Sequence, residues 1–189
     1  MNPKILHPEV QQFIDNNLNS DVAKLLFKGS PFQNITIQEL VTQIVSKKKS
    51  EKKLPTWHTA KNIYYPPKVN IEQSSSEITA QYKSSIIKGD IMVDITGGFG
   101  VDCYYFSKIF DKVIHCELNA NLSTIVHNNY QQLKNQNIEQ VSGDGIDFLS
   151  KSSTNYDWIY IDPSRRDNVN KKVFLLKDCL PNVPENLDL

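Results

Sequence analysis

In the second half of the chain, short apolar runs alternate with stretches that have helical spacing. The runs over 91–95, 113–117, 138–141 and 158–161 have the length and composition of strands. Between them, residues 101–109, 120–133 and 145–151 are predicted to form helices. Strands that alternate with helices in this way predict a parallel sheet. We therefore expect an α/β fold with a Rossmann-like parallel sheet.

The first part of the chain has only helical patterns. Apolar positions recur at helical spacing after Pro8 and again before Gly29, and Thr36 with Glu39 forms a capping box ahead of a further helix. Residues 54–67 are rich in proline and aromatic residues, which excludes a long helix. We expect a small helical lobe with its linker over 1–68 and the α/β domain over 69–189. The linker's aromatic residues either pack at the junction or offer a surface for stacking bases; they are Trp57, Tyr64 and Tyr65.

Two helices are predicted at the borders of the sheet. Ser74 and Glu77 have the spacing of a second capping box, before a helix that buries Ile78, Tyr82 and Ile86. After the fourth strand, the expected helix has its apolar positions at Val173, Leu175, Leu176 and Leu180. Residues 162–189 are too few for the remaining strands of a doubly wound sheet, so the sequence predicts an incomplete fold. Something must cover the open edge, and a second copy of the chain is one candidate.

Composition and charge narrow the class of protein. The chain has 189 residues, of which 39% are apolar, with no long uncharged run and no secretion signal, so we expect a soluble cytoplasmic protein without membrane contact. Three dispersed cysteines predict buried thiols. Residues 1–89 carry a net charge of +5 and residues 90–189 a net charge of −5. The lysine-rich run 47–53 is either a solvated helix end or a contact for nucleic acid.

The candidate ligand-binding residues lie just after the carboxyl ends of the predicted strands. In open parallel sheets, ligands bind outside the carboxyl ends of the strands. The turn after the first strand contains Gly98 and Gly100, which allow a tight turn and a close approach of the backbone to a ligand. Asp94 precedes this turn and either organises the loop or helps to orient a cofactor. A dinucleotide fingerprint would need glycine where Cys103 stands, which disfavours a nicotinamide-dependent oxidoreductase.

Two further acids follow the second and third strands. Glu117 lies where a carboxylate can accept hydrogen bonds from both ribose hydroxyls of an adenosine. Asp144, between two glycines, either accepts from an adenine amino group or caps the next helix.

These residues resemble the first motifs of class I S-adenosylmethionine-dependent methyltransferases over residues 72–180, with Thr96 in place of the usual first glycine. The resemblance implies S-adenosylmethionine as cofactor and Lys83 or Gln73 as candidates for its methionine carboxylate, unless these two side chains are merely solvated. Several strings, among them 73–77 and 162–167, are similar to bacterial proteins assigned as RNA methyltransferases that carry a THUMP-like domain downstream; these 189 residues lack that domain. The implied cofactor-binding residues are Asp94, Thr96, Gly97, Gly98, Phe99, Gly100, Glu117, Asp144 and Gly145.

The family's fourth motif, Asp or Asn-Pro-Pro-aromatic, is present only as Asp162-Pro163-Ser164-Arg165. The resemblance implies Asp162 and Pro163 as catalytic residues that hold an exocyclic base amine, with no metal required. Ser164, Arg165 and Arg166 are then candidates for contact with the substrate, the two arginines through phosphate. The implied function is methyl transfer, with RNA as the expected partner. The alternative is a nucleotide-binding or interaction module without catalysis.

Overall fold

The computed structural model describes residues 1–165 and 173–188, and within them the chain forms the expected parallel sheet. Its four strands pair in parallel in the order β3-β2-β1-β4. Each strand agrees with its predicted range within one residue; the strands are β1 (Ile91–Asp94), β2 (Lys112–Glu117), β3 (Ile138–Ser142) and β4 (Trp158–Tyr160). The prediction of a parallel α/β sheet is confirmed.

Helices connect the strands and cover the sheet. α7 (Val101–Phe106) follows β1, α8 (Ala120–Gln132) follows β2 and α9 (Gly145–Lys151) follows β3. The larger apolar cluster joins one face of the sheet to α7, α8 and the N-terminal helices. A smaller cluster lies on the other face, centred on Val93, Ile95, Ile114 and Cys116. The central strands are therefore buried on both sides, as parallel sheets require.

The first three N-terminal helices form at the predicted positions, whereas two further short α-helices were not predicted. A 3-10 helix (Pro3–Leu6) precedes α1 (Pro8–Asn16), α2 (Val22–Lys28) and α3 (Ile37–Lys53). α4 (Pro55–Thr59) lies within the predicted linker, and α5 (Lys68–Gln73) follows it. The capping box at the start of α3 is confirmed, because the Thr36 hydroxyl accepts from the Glu39 amide while the Glu39 carboxylate accepts from the Thr36 amide. The lysine-rich run lies in the last turns of α3, so it is a helix end as predicted, although Lys47 is buried and not solvated. Contact of this run with nucleic acid stays a prediction.

The aromatic residues of the predicted linker are part of the core. The Trp57 ring is fully buried and contacts Phe99 and Tyr104, at centroid distances of 6.2 and 5.0 Å. The Asn129 side chain accepts a hydrogen bond from the Tyr64 amide and donates one to the Tyr64 carbonyl. These aromatic residues therefore pack where the helices meet the sheet, and the alternative of an exposed base-stacking surface is wrong.

The prediction of which face of the helix before β1 is buried is wrong. α6 (Glu77–Ser85) is capped by Ser76, whereas Ser74 ends α5, so the predicted box of Ser74 and Glu77 does not form. Ile78, Tyr82 and Ile86 are 79, 66 and 63% exposed. The opposite face is buried instead, because the Glu77 carboxylate accepts hydrogen bonds from Thr56 and Tyr105; that face consists of Glu77, Ala80 and Ser84.

The predicted C-terminal helix is also wrong over its described part. Residues 173–188 contain only two short 3-10 helices, Leu176–Asp178 and Pro184–Asn186. Leu180 pairs with Ser164 as an antiparallel bridge. Proline at 181 disfavours helical backbone at Leu180, which explains the extended conformation. Among the helices that the structure describes, none is long and apolar enough to cross a membrane.

Candidate functional site

A pocket of about 990 Å³ opens at the carboxyl ends of the strands. It is lined by backbone or side chains from the loops after β1, β2, β3 and β4, and by the segment between α5 and α6. The structure thus brings together at one pocket the described residues that the methyltransferase motifs imply: Asp94, Thr96, Gly97, Gly98, Phe99, Gly100, Glu117, Asp144, Gly145, Asp162, Pro163, Ser164 and Arg165. Gln73 lines the pocket too, whereas Lys83 is not among its lining residues. Arg166 lies outside the described residues.

The glycines of the turn after β1 have different physical roles. Gly98 has a φ of +55°, and a Cβ there would make only an ordinary van der Waals contact, 3.7 Å from the Thr96 carbonyl oxygen. At Gly100 a Cβ would lie 2.2 Å from the Tyr130 hydroxyl oxygen, and φ is +80°. Close approach of a ligand to Gly98 stays a prediction, whereas Gly100 is required by the packing of α8.

A histidine and a tyrosine form the floor under this turn. His115, on β2, is fully buried, and a Cβ on Gly97 would lie 2.3 Å from its Nε2. The rings of His115 and Tyr130 meet edge to face at 5.7 Å, and the Tyr130 hydroxyl donates to the Gly100 carbonyl at 3.0 Å. Burial lowers the pKa of His115 to about 4, so the ring is neutral at neutral pH. Sequence reasoning missed this residue, although a histidine inside an apolar strand was the available signal.

Thr96 connects the glycine turn to the end of β4. Its hydroxyl donates to Asp94 Oδ1 at 3.1 Å and accepts from the Asp162 amide at 2.7 Å. The Asp94 carboxylate also accepts from the Thr96 amide and from the Cys103 thiol. Asp94 therefore organises the loop, and Thr96 fixes the start of the Asp162-Pro163 segment relative to the turn.

Burial raises the pKa of Asp94 to about 7, against the lowering effect of the Thr96 amide. The carboxyl group thus changes its charge close to neutral pH. Cys103, which donates to it, is fully buried, and burial together with the nearby Asp94 raises the pKa of its thiol. This pair packs within the protein and does not offer a reactive thiolate.

Glu117 ends β2 beside the turn. Its carboxylate accepts from the Gly98 amide at 2.9 Å and from the Asn119 amide at 2.7 Å. These bonds fix the orientation of the carboxylate at the pocket wall. Burial raises the pKa of Glu117, and the two amide bonds oppose that shift.

Asp144 and Gly145 begin α9 at the far side of the pocket. Asp144 Oδ1 accepts from the Ile146 amide at 2.8 Å, so the structure confirms the helix-capping interpretation of this residue. A Cβ on Gly145 would lie 2.5 Å from the carbonyl oxygen and Cβ of Ile95, and glycine therefore lets α9 approach β1 closely. Phe99 lines the pocket as well, but its ring is buried against Trp57.

A cluster of polar side chains closes the pocket between α6, α7 and β4. The Lys83 ammonium donates to Ser75 Oγ at 2.9 Å, forms an ion pair with Asp102 at 3.2 Å, and contacts the Tyr160 hydroxyl at 2.5 Å. Asp162 Oδ2 lies 3.9 Å from the same ammonium. Sequence reasoning named Lys83 but missed its partners Ser75, Asp102 and Tyr160. Lys83 is therefore neither free in solvent nor available to a ligand without competition from Asp102.

The Asp162 segment forms the rim of the pocket. The Asp162 side chain is exposed beside Lys83, and Arg165 is exposed at the mouth. Ser164 is held by two backbone hydrogen bonds with Leu180, at 2.8 and 3.2 Å. An exposed acid that adjoins a fixed backbone can accept hydrogen bonds from a polar group that enters the pocket.

Comparisons with known proteins agree with this architecture. No family model matches the chain, and no curated protein is similar to it in sequence. Among solved structures, the chain is similar over its whole length to 46% of a "putative methyltransferase" from Porphyromonas gingivalis W83, with 27% identity and a TM-score of 0.77. The chain therefore spans about half of that protein's length.

Two weaker likenesses have TM-scores too low to support an argument. A methyltransferase from Streptococcus mutans, also described as "putative" and in complex with S-adenosylhomocysteine, shares 15% identity over 59% of this chain and 64% of its own, at a TM-score of 0.44. An rRNA methylase from Streptococcus thermophilus shares 13% identity over 59% of this chain and 61% of its own, at a TM-score of 0.43. The likeness to the Porphyromonas gingivalis protein confirms the predicted fold class, a Rossmann-like α/β fold.

Proposed function

We propose that the protein is an S-adenosylmethionine-dependent methyltransferase that acts on an exocyclic base amine of RNA. The observation that supports this most is the hydrogen bond from the Asp162 amide to the Thr96 hydroxyl. It joins an acid-proline segment to a glycine turn at the same pocket as Glu117 and Asp144. A cofactor on the turn and an acceptor on Asp162 would then be neighbours.

The pocket residues fit the cofactor. Gly98 lines the pocket without a side chain between its backbone and a ligand, and the carboxylate of Glu117 is oriented at the wall where ribose hydroxyls could donate to it. The second oxygen of Asp144 can accept from an adenine amino group while the first caps α9. Bound S-adenosylmethionine supplies an electrophilic methyl carbon, and the role of the chain is to hold and orient.

Asp162 and Pro163 are proposed to hold the acceptor. The Asp162 carboxylate and the Pro163 carbonyl can accept the two N–H bonds of an amine and direct its lone pair into the pocket. The carboxylate also stabilises the positive charge that develops on nitrogen during transfer. Arg165 at the mouth can contact phosphate.

The proposal extends to a further domain, the cellular location and the covering of the sheet edge. The likeness to a protein about twice as long is consistent with a further domain, for which a THUMP-like RNA-binding module is our proposal. A cytoplasmic site of action accords with the three free, buried cysteines. We also propose that the edge of β4 is covered in the assembled protein, by a further segment or by a second copy.

The test is transfer of tritium from labelled S-adenosylmethionine to RNA transcribed in vitro, which carries no methyl groups. We expect transfer by the wild type, and a loss of at least about 100-fold in Asp162→Ala, in line with the removal of a group that acts on transition-state charge. The affinity of Asp162→Ala for S-adenosylhomocysteine should stay near the wild-type value. Asp147→Ala, on the exposed side of α9, is the matched control and should retain activity.

Two results would contradict the proposal. Retained transfer in Asp162→Ala would reject the role of this acid. Cofactor binding without transfer to any RNA would favour the alternative, a nucleotide-binding module without catalysis.

A further inference from the structure

Three lysines from α3 and α5 converge on one acidic residue. Lys49 Nζ lies 3.2 Å and Lys68 Nζ 3.4 Å from Oε1 of Glu72. Lys53 Nζ donates to the backbone carbonyl of Glu72 at 2.7 Å. Two ammonium groups thus share the Glu72 carboxylate while a third is held on the backbone carbonyl of the same residue, and the local formal charge is positive. We call Lys49, Lys53, Lys68 and Glu72 the Glu72 lysine cluster.

Two lysines of the cluster remain open to an anion. Burial and, after it, the neighbouring Lys49 lower the pKa of Lys53, whereas Glu72 acts in the opposite direction. The side chains of Lys49 and Lys68 remain 44 and 51% exposed, so that a further anion can reach them. A phosphate oxygen would add the negative charge that the cluster lacks.

The cluster and the pocket lie on different faces of α5. Asn70 and Gln73, three residues apart, share the face of α5 that lines the pocket. Lys68 and Glu72, four residues apart, share the other face. A helix with its side chains is about 10 Å wide, so a strand that passes around α5 can reach both faces within a few nucleotides.

We propose that the Glu72 lysine cluster binds the phosphodiester backbone of a single-stranded RNA, a few nucleotides from the base whose amine enters the pocket. This inference rests on the proposed function, because the pocket defines which nucleotide is the acceptor. A single strand is the simplest partner, since a base stacked in a duplex must first be unpaired and flipped out before it can enter the pocket. The charge asymmetry of the chain, positive in residues 1–89, agrees with this path.

The experiment measures binding of a fluorescein-labelled single-stranded RNA of about 16 nucleotides by anisotropy, at salt concentrations from about 50 to 200 mM. The triple variant Lys49→Gln, Lys53→Gln, Lys68→Gln removes the cluster's positive charges and keeps polar side chains of similar shape. Its matched control, Lys4→Gln, Lys24→Gln, Lys28→Gln, removes the same charge from exposed positions elsewhere in the N-terminal lobe. A DNA oligomer of the same sequence and vesicles of anionic phospholipid are separate arms.

The slope of log K against log salt is negative. For three phosphate contacts on a single strand, it should be less steep by about 2 in the triple variant. The same relation predicts an affinity loss of roughly 100-fold at 0.1 M salt. The control should bind the RNA within a few-fold of the wild type. Binding of S-adenosylhomocysteine, measured by calorimetry, should be unchanged in both variants.

The outcomes separate the two proposals. RNA binding that is absent, or that keeps its affinity and slope in the triple variant, overturns the inference and leaves the methyltransferase proposal untouched. Preferential binding of DNA or of vesicles through the cluster overturns the assignment to RNA. Absence of S-adenosylhomocysteine binding by the folded wild type would instead contradict the proposed function. An RNA affinity that depends on the Glu72 lysine cluster would still support that cluster as an RNA-binding surface.

Discussion

Replacing Gly97 with alanine should destabilise the protein through one identifiable ring. A Cβ at this position would lie 2.3, 2.4 and 2.7 Å from the Nε2, Cδ2 and Cε1 atoms of His115. Carbon atoms in favourable contact are about 3.5–4.0 Å apart, so the ring or the turn must move by more than about 1 Å. The ring is fully buried and rests against Tyr130. Overpacking of this kind costs about 1–3 kcal/mol of the free energy of unfolding.

The reasoning is tested by a double-mutant cycle with His115→Ala. Removal of the buried ring alone should cost about 2–5 kcal/mol, because it leaves a cavity. In the double variant the new methyl group occupies part of that cavity. The double variant should therefore be about 1–3 kcal/mol more stable than the sum of the two single changes predicts. Urea unfolding followed by tryptophan fluorescence gives the four free energies.

Gly98→Ala is the matched control within the same turn. A Cβ at Gly98 would make only an ordinary contact, 3.7 Å from the Thr96 carbonyl oxygen, but φ is +55°, so this variant should lose about 1–2 kcal/mol of the free energy of unfolding from backbone strain alone. That loss should add to the effect of His115→Ala without coupling. Strict additivity between Gly97→Ala and His115→Ala would refute the claim that the imidazole is what requires glycine at position 97.

Further predictions concern pH, the turn and the first capping box. Since burial holds the pKa of His115 near 4 in the folded state against 6.5 when exposed, its contribution is complete above pH 6.5 and is lost as pH falls towards 4, by about 3 kcal/mol in total. The raised pKa of Asp94, about 7, acts in the opposite sense, and its contribution is lost as pH rises from 3.8 through 7. The measured quantity is therefore the free energy of wild type minus that of His115→Leu across this range; a pH-independent difference would contradict the prediction. Thr96→Val should lower kcat for methyl transfer about 5- to 10-fold and leave KM for the cofactor near its wild-type value, whereas Thr96→Ser should be active; equal losses in both would show that the hydroxyl is not what matters. Thr36→Ala should lower the free energy of urea unfolding by about 1 kcal/mol, and an unchanged value would mean that the box is dispensable.

The strands and the helices between them could be predicted from the sequence because their periodicity reports burial directly. Apolar runs of strand length have few other uses in a soluble chain, and each of the four agrees with its strand within one residue. The convergence of Asp94, Glu117, Asp144 and Asp162 on one pocket followed from the rule for parallel strand ends.

The error about the buried face of α6 arose because a tertiary contact outweighs the helical spacing of its apolar residues. Ile78 and Tyr82 have helical spacing, yet α6 buries the opposite face because Glu77 finds its hydrogen-bond donors in Thr56 and Tyr105. No periodic pattern encodes a carboxylate that is satisfied from distant residues. The error in the C-terminal helix has a local cause, since Pro181 disfavours helical backbone at Leu180, which pairs with Ser164 instead.

Within the site, sequence reasoning identified acids and glycines but not what they touch. The contact of Gly97 with His115, and that of Gly100 with Tyr130, depend on how α8 and β2 pack. The ion pair of Lys83 with Asp102 likewise joins residues from two helices. Such pairings are set by side-chain geometry in three dimensions, which residue type and spacing do not determine.

The most direct measurement is a calorimetric titration of the folded protein with S-adenosylhomocysteine and, separately, with NAD. We expect saturable one-to-one binding of S-adenosylhomocysteine, no binding of NAD, and clearly weaker binding of S-adenosylhomocysteine by Glu117→Ala, whose carboxylate is fixed beside the Gly98 amide. Binding of NAD instead, or of neither ligand, would contradict the account of the pocket.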